Sequence, residues 1–566
     1  MKTFFRHRWP MVVAVATYWI AAGTLAAVSL HRNGGYLVYA LDDAYIHMAL
    51  AKNFVTHGVW GVTRFGFSSS VSSLLWPLLL SSTYWLFGVN QASPLILNLL
   101  SGALTLVVAD EILRRYKASC PYRAVALLVF AFLSILAPLT LQGMEHLLQM
   151  AVTLLATFLA ARFLSDDAEV NPRREFVWLL WAAPLVTATR FEGMFLIAVI
   201  GALMLLRGRW RHALAFGGSG LLPVAIFGII SMLKGWYVLP NSVLLKGSMP
   251  PLGSMWKAIT SSLDTALFNL NMAPHIAAIA LAVLFLSVYT FRARGRQAAG
   301  RESSQPVSGR AGRPTDWDSR QVMTLIFLGT AWLHLEFAIV CLFCRYDAYL
   351  ITLGLLIVAA QLVDLVPERD ALLRLCWKEL PRYLAVAALA AMLLRPLVRR
   401  GALTPFIWVT GTTNIFQQQY QMGLFMKNFY PGSAVAINDI GAVDFLTDVH
   451  CIDLVGLADL QVARKKLHKD YHTADILAIT QASGVHVAVV YDSWFEGEIG
   501  GLPEEWTKVG EWTIANNIVA SDKTVSFYAV DPSEVTPLIQ HLRDFSPRLP
   551  ASVLQSGKYT EWASVP

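Results

Sequence analysis

The sequence predicts a polytopic α-helical membrane protein of about eleven spans, followed by a soluble α/β domain, and three observations carry that reading. Hydrophobic residues make up 55% of the 566 residues and charged residues only 15%, where a soluble chain carries roughly a quarter; the mean hydropathy is +0.50. Apolar runs near the ~20 residues that a bilayer crossing needs recur through the first 400 residues. From Gly401 onward they give way to short β-rich runs and polar helical stretches. This composition excludes a disordered chain, a fibrous repeat, a disulfide scaffold (five Cys) and a soluble enzyme.

In order along the chain, the apolar segments cover residues 11–30, 71–88, 94–113, 121–138, 144–164, 213–233, 273–291, 322–342, 348–366 and 382–397. The first lies behind a short basic start and reads as an uncleaved span. A further stretch at 176–207 is interrupted by Thr189-Arg190-Phe191-Glu192-Gly193 and reads as two short helices meeting at a polar corner. Twelve candidates conflict with a cytoplasmic N-terminus and an external C-terminus, which need an odd number, so eleven crossings are expected.

Basic clusters at Lys2/Arg6/Arg8, Arg114/Arg115/Lys117, Arg173/Arg174, Arg207/Arg209/Arg211 and the six arginines from Arg292 to Arg313 fall on one side, read as cytoplasmic. They account for the net charge of +7 without a nucleic-acid partner. The transmembrane module is thus residues 1–400, with a first external loop at 31–70 and a flexible Arg/Gly/Ser-rich cytoplasmic linker at 292–320. Residues 401–566 form the external α/β domain, with strand-like runs Ala434–Ile437, Val485–Val490 and Val525–Val530 and a helical stretch Leu460–Lys469. Cys451 is its only cysteine, so no disulfide forms inside it. No His/Cys grouping has zinc spacing, and no metal or cofactor is expected.

Ionisable groups at span ends are costly and usually functional, and here they gather on the external side. Asp42 and Asp43 open a helix in the first loop, where Asp42 can act as its cap and Ile46, Leu50 and Phe54 form an apolar stripe facing the membrane surface. The plain reading is a cap with two solvated acids; the chemical one is a general base, since adjacent carboxylates repel and one rises toward the working range. Arg190, Lys246 and Arg345 lie at external span ends, against the positive-inside trend. Either lipid headgroups or a bound phosphate would account for them, and Arg matches phosphate geometry with a fork of donors. Tyr346 and Tyr349 beside Arg345 suit a sugar face or an interfacial belt. Glu145 opens a span on the same side, Glu192 can pair with Arg190, and His47 and His146 are hydrogen-bonding neighbours. In the C-terminal domain, Gln417–Gln419, Asn438 and Asp439 either reach over the site toward an acceptor or form a turn in a docking platform.

Taken in order, Asp42-Asp43-Ala44-Tyr45, the Ser-rich Phe67–Leu75 leading into Trp76, Gly143-Met144-Glu145, Arg190-Phe191-Glu192-Gly193, Pro240-Asn241-Ser242 with Lys246, Arg345-Tyr346, Asn438–Ala442 and Asp453–Leu457 resemble the GT-C superfamily of membrane glycosyltransferases. The nearest likeness within it is to bacterial arabinofuranosyltransferases. The resemblance covers about residues 1–460. It implies a sugar carried on a polyprenyl monophosphate and transferred, on the periplasmic side of the bacterial inner membrane, to a glycan, lipid or protein acceptor. It also implies a catalytic acid in the first external loop, Asp42 or Asp43 with the first favoured, and phosphate held by Arg345, Arg190 and Lys246. Tyr45, His47, Glu145, Glu192, Asn241 and Tyr346 would then contact sugar or acceptor. A lipid or sugar transporter or flippase is the alternative. Transporters place ionisable groups near the midplane within internal repeats, whereas these charges gather at one surface and no repeat is found. A structural assembly protein is the third reading.

Overall fold

The computed structural model describes residues 2–167, 170–245, 255–302, 317–340, 342–365 and 380–561. Among them, five helices are long and apolar enough to cross a membrane: His7–Arg32, Ser93–Arg115, His146–Leu164, Trp210–Leu233 and Pro274–Arg292. Cys120–Leu133, Gly193–Leu206 and Ala348–Leu362 are apolar but shorter. The chain is therefore a multi-pass membrane protein. Trp85, Phe87 and Leu233 are 77%, 77% and 81% exposed, a surface that water would not tolerate in such density and lipid does.

Several helices depart from the expected segments. The 121–138 run breaks at Ile135, which takes a left-handed backbone (φ 54°) before the short helix Leu136–Thr140. The 71–88 run begins its helix only at Leu75, because the residues before it are drawn against neighbouring elements: the Leu74 amide donates to the Ala188 carbonyl at 2.9 Å. The last run belongs to a 36-residue helix, Leu380–Ile415, that passes 401 and contains Pro396 and Pro405. Met255–Met272 is a helix that no apolar run announces. The expected linker at 292–320 starts as helix as far as Glu302 and ends in the helix from Ser319; residues 303–316, like Lys246, lie outside the described residues. The interruption at 190–192 is where it is expected, between helices Pro172–Thr189 and Gly193–Leu206.

After Phe429 the chain builds a six-stranded mixed sheet from β1 (Ala434–Ile437), β2 (His450–Asp453), β3 (Val487–Val490), β4 (Thr507–Ile514), β5 (Thr524–Ala529) and β6 (Val553–Ser556). The spatial order is β2-β1-β3-β5-β4-β6. β1 pairs in parallel with both β2 and β3, Val435 lying opposite Cys451 and Val487; the remaining pairs are antiparallel. Helices connect the three parallel strands, as such crossovers require. One face buries Val435, Val487, Phe527 and Trp512.

That same core contains Ile46 and Leu50 from the first-loop helix, Asp42–His57. The expected surface helix is instead buried between the helical bundle and the sheet, because both of its sides are apolar: Tyr45, Met48 and Ala49 pack with Trp76 and Trp408. Nor does Asp42 cap its own helix, whose cap position is Leu41. Its carboxylate accepts the amides of Gly441 (2.6 Å) and Ala442 (2.7 Å), which begin the helix Gly441–Leu446. At the other end of that short helix, Lys52 Nζ donates to the carbonyls of Asp444, Phe445 and Thr447 at 3.0, 3.0 and 2.7 Å. Orphan groups at both helix ends are thus satisfied by one helix 400 residues away in sequence.

Gly441 is required there by space. A Cβ would sit 2.1 Å from the Asp42 carbonyl oxygen and 2.6 Å from its carboxylate. Gly441→Ala is expected to destabilise the protein by about 1–3 kcal/mol, as overpacking does, read as a lowered melting temperature of the purified full-length chain. An unchanged melt would refute this docking geometry.

Candidate active site

Four chain segments meet at the N-terminal end of the first-loop helix. The first is Asp42 and Asp43 in its opening turn. The second is Gly143-Met144-Glu145, turned by the positive φ of Gly143 (72°) and held by Trp76 Nε1 donating to the Gly143 carbonyl at 3.1 Å. The third is the break at Arg190, kept tight by Gly193, whose Cβ would lie 2.4 Å from the Val186 carbonyl oxygen. The fourth is Arg345-Tyr346, reached through two successive left-handed residues, Phe343 (φ 51°) and Cys344 (φ 57°). Such conformations are unfavourable for side chains with a Cβ. Arg400 pins this turn, donating to the Cys344 carbonyl at 2.7 Å and the Leu133 carbonyl at 3.0 Å.

Arg345 is 3% exposed, and its Nη2 donates to Asp43 Oδ2 at 2.7 Å. Its Nε is buried without a hydrogen-bond partner. Arg190, 2% exposed, is more fully occupied: Nη1 donates to Glu145 at 2.6 Å, while Nη2 and Nε take both oxygens of Glu192 at 2.7 and 3.1 Å. Tyr346 holds both guanidinium groups near its ring, Arg345 at 4.8 Å and Arg190 at 5.0 Å from the centroid. His47 Nε2 lies 3.8 Å from the second oxygen of Glu145. Three carboxylates therefore face two guanidinium groups in one connected network.

Two cavities join at this network. The first, about 370 Å³, is lined by Asp43, His47, Arg190, Glu192 and Tyr346 at one end and by apolar side chains such as Phe195, Leu239, Val243 and Phe337 along its walls. The second, about 820 Å³, is lined by Asp42, Asp43, Arg345, Gln419, Asn438 and Asp439 among others. Asp43, Ile46 and Leu457 line both.

The two acids of the first loop consequently sit in different surroundings. Asp42 is 6% exposed, has both oxygens engaged by backbone amides, and lies in hydrogen-bond contact with Asp439. Burial, reinforced by the Asp439 charge, pushes it well above the usual carboxylate range, and burial raises Asp439 as well. One proton between the two carboxyls satisfies that contact. Asp439 is further held by Gln419 Nε2 (2.8 Å) and Tyr491 Oη (3.3 Å). Asp43 instead faces both cavities and is paired to Arg345.

Of the residues expected at the site, Asp42, Asp43, Arg345, Arg190, Glu192, His47 and Tyr346 line one or both cavities. Glu145 stands behind Arg190, fully buried. Tyr45 points into the core, its hydroxyl accepting the Tyr39 amide at 3.0 Å. Asn241 ties the bundle to the sheet, donating to the Gly456 carbonyl at 2.8 Å. Asp347, next to this turn, pairs with His275. Sequence reasoning missed the wall of the second cavity formed by Lys466, Lys469 and Trp494.

A family described only as a domain of unknown function (DUF8728) matches residues 413–528. No curated protein matches the chain. Crystal structures of ArnT from Cupriavidus metallidurans resemble it, bound to undecaprenyl phosphate at 14% identity and in the apo state at 13%. Each has a TM-score of 0.49 and covers 92% of this chain and 98% of that one. A cryo-EM structure of the arabinofuranosyltransferase AftD from Mycobacteria has a TM-score of 0.41 at 13% identity, over 91% of this chain and 41% of that one. These are likenesses of shape, too loose to assign an activity.

Proposed function

We propose that this protein is an integral membrane glycosyltransferase that moves a sugar from a polyprenyl monophosphate to an acceptor hydroxyl, with Asp43 as general base. The observation that carries the reading is the Asp43–Arg345 pair at the junction of an apolar cavity and a polar one. A polyprenyl donor presents a greasy chain and a charged head, and the first cavity offers apolar walls ending at Arg190 and at Asp43, the partner of Arg345. The acceptor enters from the second cavity. Its hydroxyl gives its proton to Asp43 as its oxygen attacks the anomeric carbon, and the bond from that carbon to the phosphate oxygen breaks. The leaving phosphate monoester gains negative charge, which Arg345, with its unpartnered Nε–H, is placed to stabilise. Attack from the face opposite the phosphate inverts the anomeric centre.

Arg190 serves differently from the phosphate-binding role the resemblance implies. Two carboxylates already take its fork, so its part is to position Tyr346 and the floor of the cavity. Asp43 is preferred to Asp42 as base because it faces both cavities, reversing the order that the resemblance favours. Periplasmic transfer, a cell-envelope acceptor and arabinofuranose as the sugar extend the same reading and rest on the resemblance of the motifs.

Native mass spectrometry tests the donor class. The purified protein is expected to retain added undecaprenyl phosphate, and Arg345→Met to weaken that binding at least tenfold, ~1.4 kcal/mol. Equal retention by both proteins would refute the phosphate assignment.

A further inference from the structure

We propose that the second cavity binds an acidic glycan, its phosphate or carboxylate held by Lys466 and Lys469 and a sugar ring set against Trp494. The cavity lies at the carboxyl ends of the three parallel strands. Asn438 and Asp439 follow β1, Val455 and Leu457 follow β2, and Trp494 follows β3. β1 sits between β2 and β3, so the chain leaves it toward one neighbour and returns beside the other. Such a switch point opens a crevice at the strand ends.

The basic residues of the helix Leu460–Leu467 and of the turn after it divide by direction. Lys465 is paired to Asp475 at 2.9 Å, and Arg464 donates to the Gly235 carbonyl at 2.9 Å. Lys466 and Lys469 face the cavity, and no carboxylate lies within ion-pair distance of either among the described residues. Lys466 is half-buried, its ammonium 5.4 Å from the centroid of the Tyr471 ring. An ammonium withdrawn from water without a counter-charge is costly, and an oxyanion arriving in the cavity removes that cost. Burial draws Lys466 below its ordinary range, and the charge of Asp453, beyond ion-pair distance, opposes this only in part. The half-buried Trp494 ring on the same cavity supplies an apolar face for a sugar. Four acids share the cavity lining, and none lies within ion-pair distance of the two lysines: Asp43 is paired to Arg345, Asp42 is held by backbone amides, Asp439 is held by Gln419 and the Asp42 contact, and Glu498 is exposed to solvent.

Binding of the acidic glycan does not depend on the glycosyltransferase reading; only a role for it as the sugar acceptor rests on that reading. The test is calorimetric titration of the full-length protein in detergent at low salt. The ligands are tetragalacturonate (carboxylate), maltose 1-phosphate (phosphate) and maltotetraose (neutral). One acidic ligand is expected to bind at least tenfold more tightly than the neutral one and to weaken as salt rises. Which of the two binds identifies the oxyanion. Lys466→Gln/Lys469→Gln is expected to lose about tenfold in affinity, ~1.4 kcal/mol, and Lys465→Gln to lose none. The exposed Lys469→Gln alone, which leaves the Tyr471 contact intact, is expected to lose about threefold. Failure of both acidic ligands to bind, equal affinity for the neutral one, or insensitivity to the double variant each overturns the proposal. Release of undecaprenyl phosphate from a lipid-linked sugar, measured on the same preparation, reports the glycosyltransferase reading separately.

Discussion

Replacing Asp43 with Asn is expected to lower transfer from a polyprenyl-phosphate sugar by about 10²–10⁴-fold, the range removed with a general base, while leaving the fold intact. The Asn carbonyl oxygen can still accept from Arg345 Nη2, whose present contact with Asp43 is 2.7 Å, so the arginine keeps its position. The side chain is 26% exposed within the cavity junction, which limits the packing cost. Asp42→Asn makes the contrast. Its carboxylate holds the amides of Gly441 and Ala442 and touches Asp439, so that variant is expected to lower the melting temperature more than the turnover. Single-turnover release of polyprenyl phosphate beside a thermal melt separates the two. Full activity in Asp43→Asn, or a greater catalytic loss in Asp42→Asn, would move the base back to Asp42.

How far the site is legible in the sequence depends on whether a residue's partner is local. The corner at Arg190–Gly193 stands out because charge interrupts an apolar run, and β1, β3 and β5 stand out as short β-rich runs, whereas β2, His-Cys-Ile-Asp, does not. The acidic pair in the first loop is visible as an acidic pair. What Asp42 does is not, because the amides that satisfy it lie 399 and 400 residues away and local pattern is blind to that distance. The same limit hides the burial of Ile46 and Leu50, whose apolar stripe fits a membrane surface as well as a protein core. Met255–Met272 escapes because it is amphipathic, not uniformly apolar. The left-handed turn at Phe343 and Cys344, which aims Arg345, has neither glycine nor asparagine to announce it. Lys466 and Lys469 read as a solvated charge run until the strand order shows that they overhang a crevice.

Arg190→Met is expected to destabilise the protein by about 3–5 kcal/mol, the cost of leaving a buried charge without its partner. Glu145 is fully buried, and its nearest remaining basic group is His47 at 3.8 Å. Glu192 loses both of its guanidinium contacts in the same step. Arg190→Lys should rescue only part of the loss, since an ammonium cannot fork between two carboxylates as the planar guanidinium does. Adding Glu145→Gln to Arg190→Met removes the stranded charge and should recover about half of the lost stability, a coupling of the size seen between residues in one network. Activity should not return with stability, because the Tyr346 ring loses the Arg190 guanidinium and is left with Arg345 and the edge-on His146 ring to hold it at the cavity. Thermal unfolding in one detergent for the single and double variants supplies the cycle. Were Arg190→Met as stable as the parent but unable to bind undecaprenyl phosphate, Arg190 would be the phosphate ligand after all, and its two carboxylate partners would have to release it when the donor arrives.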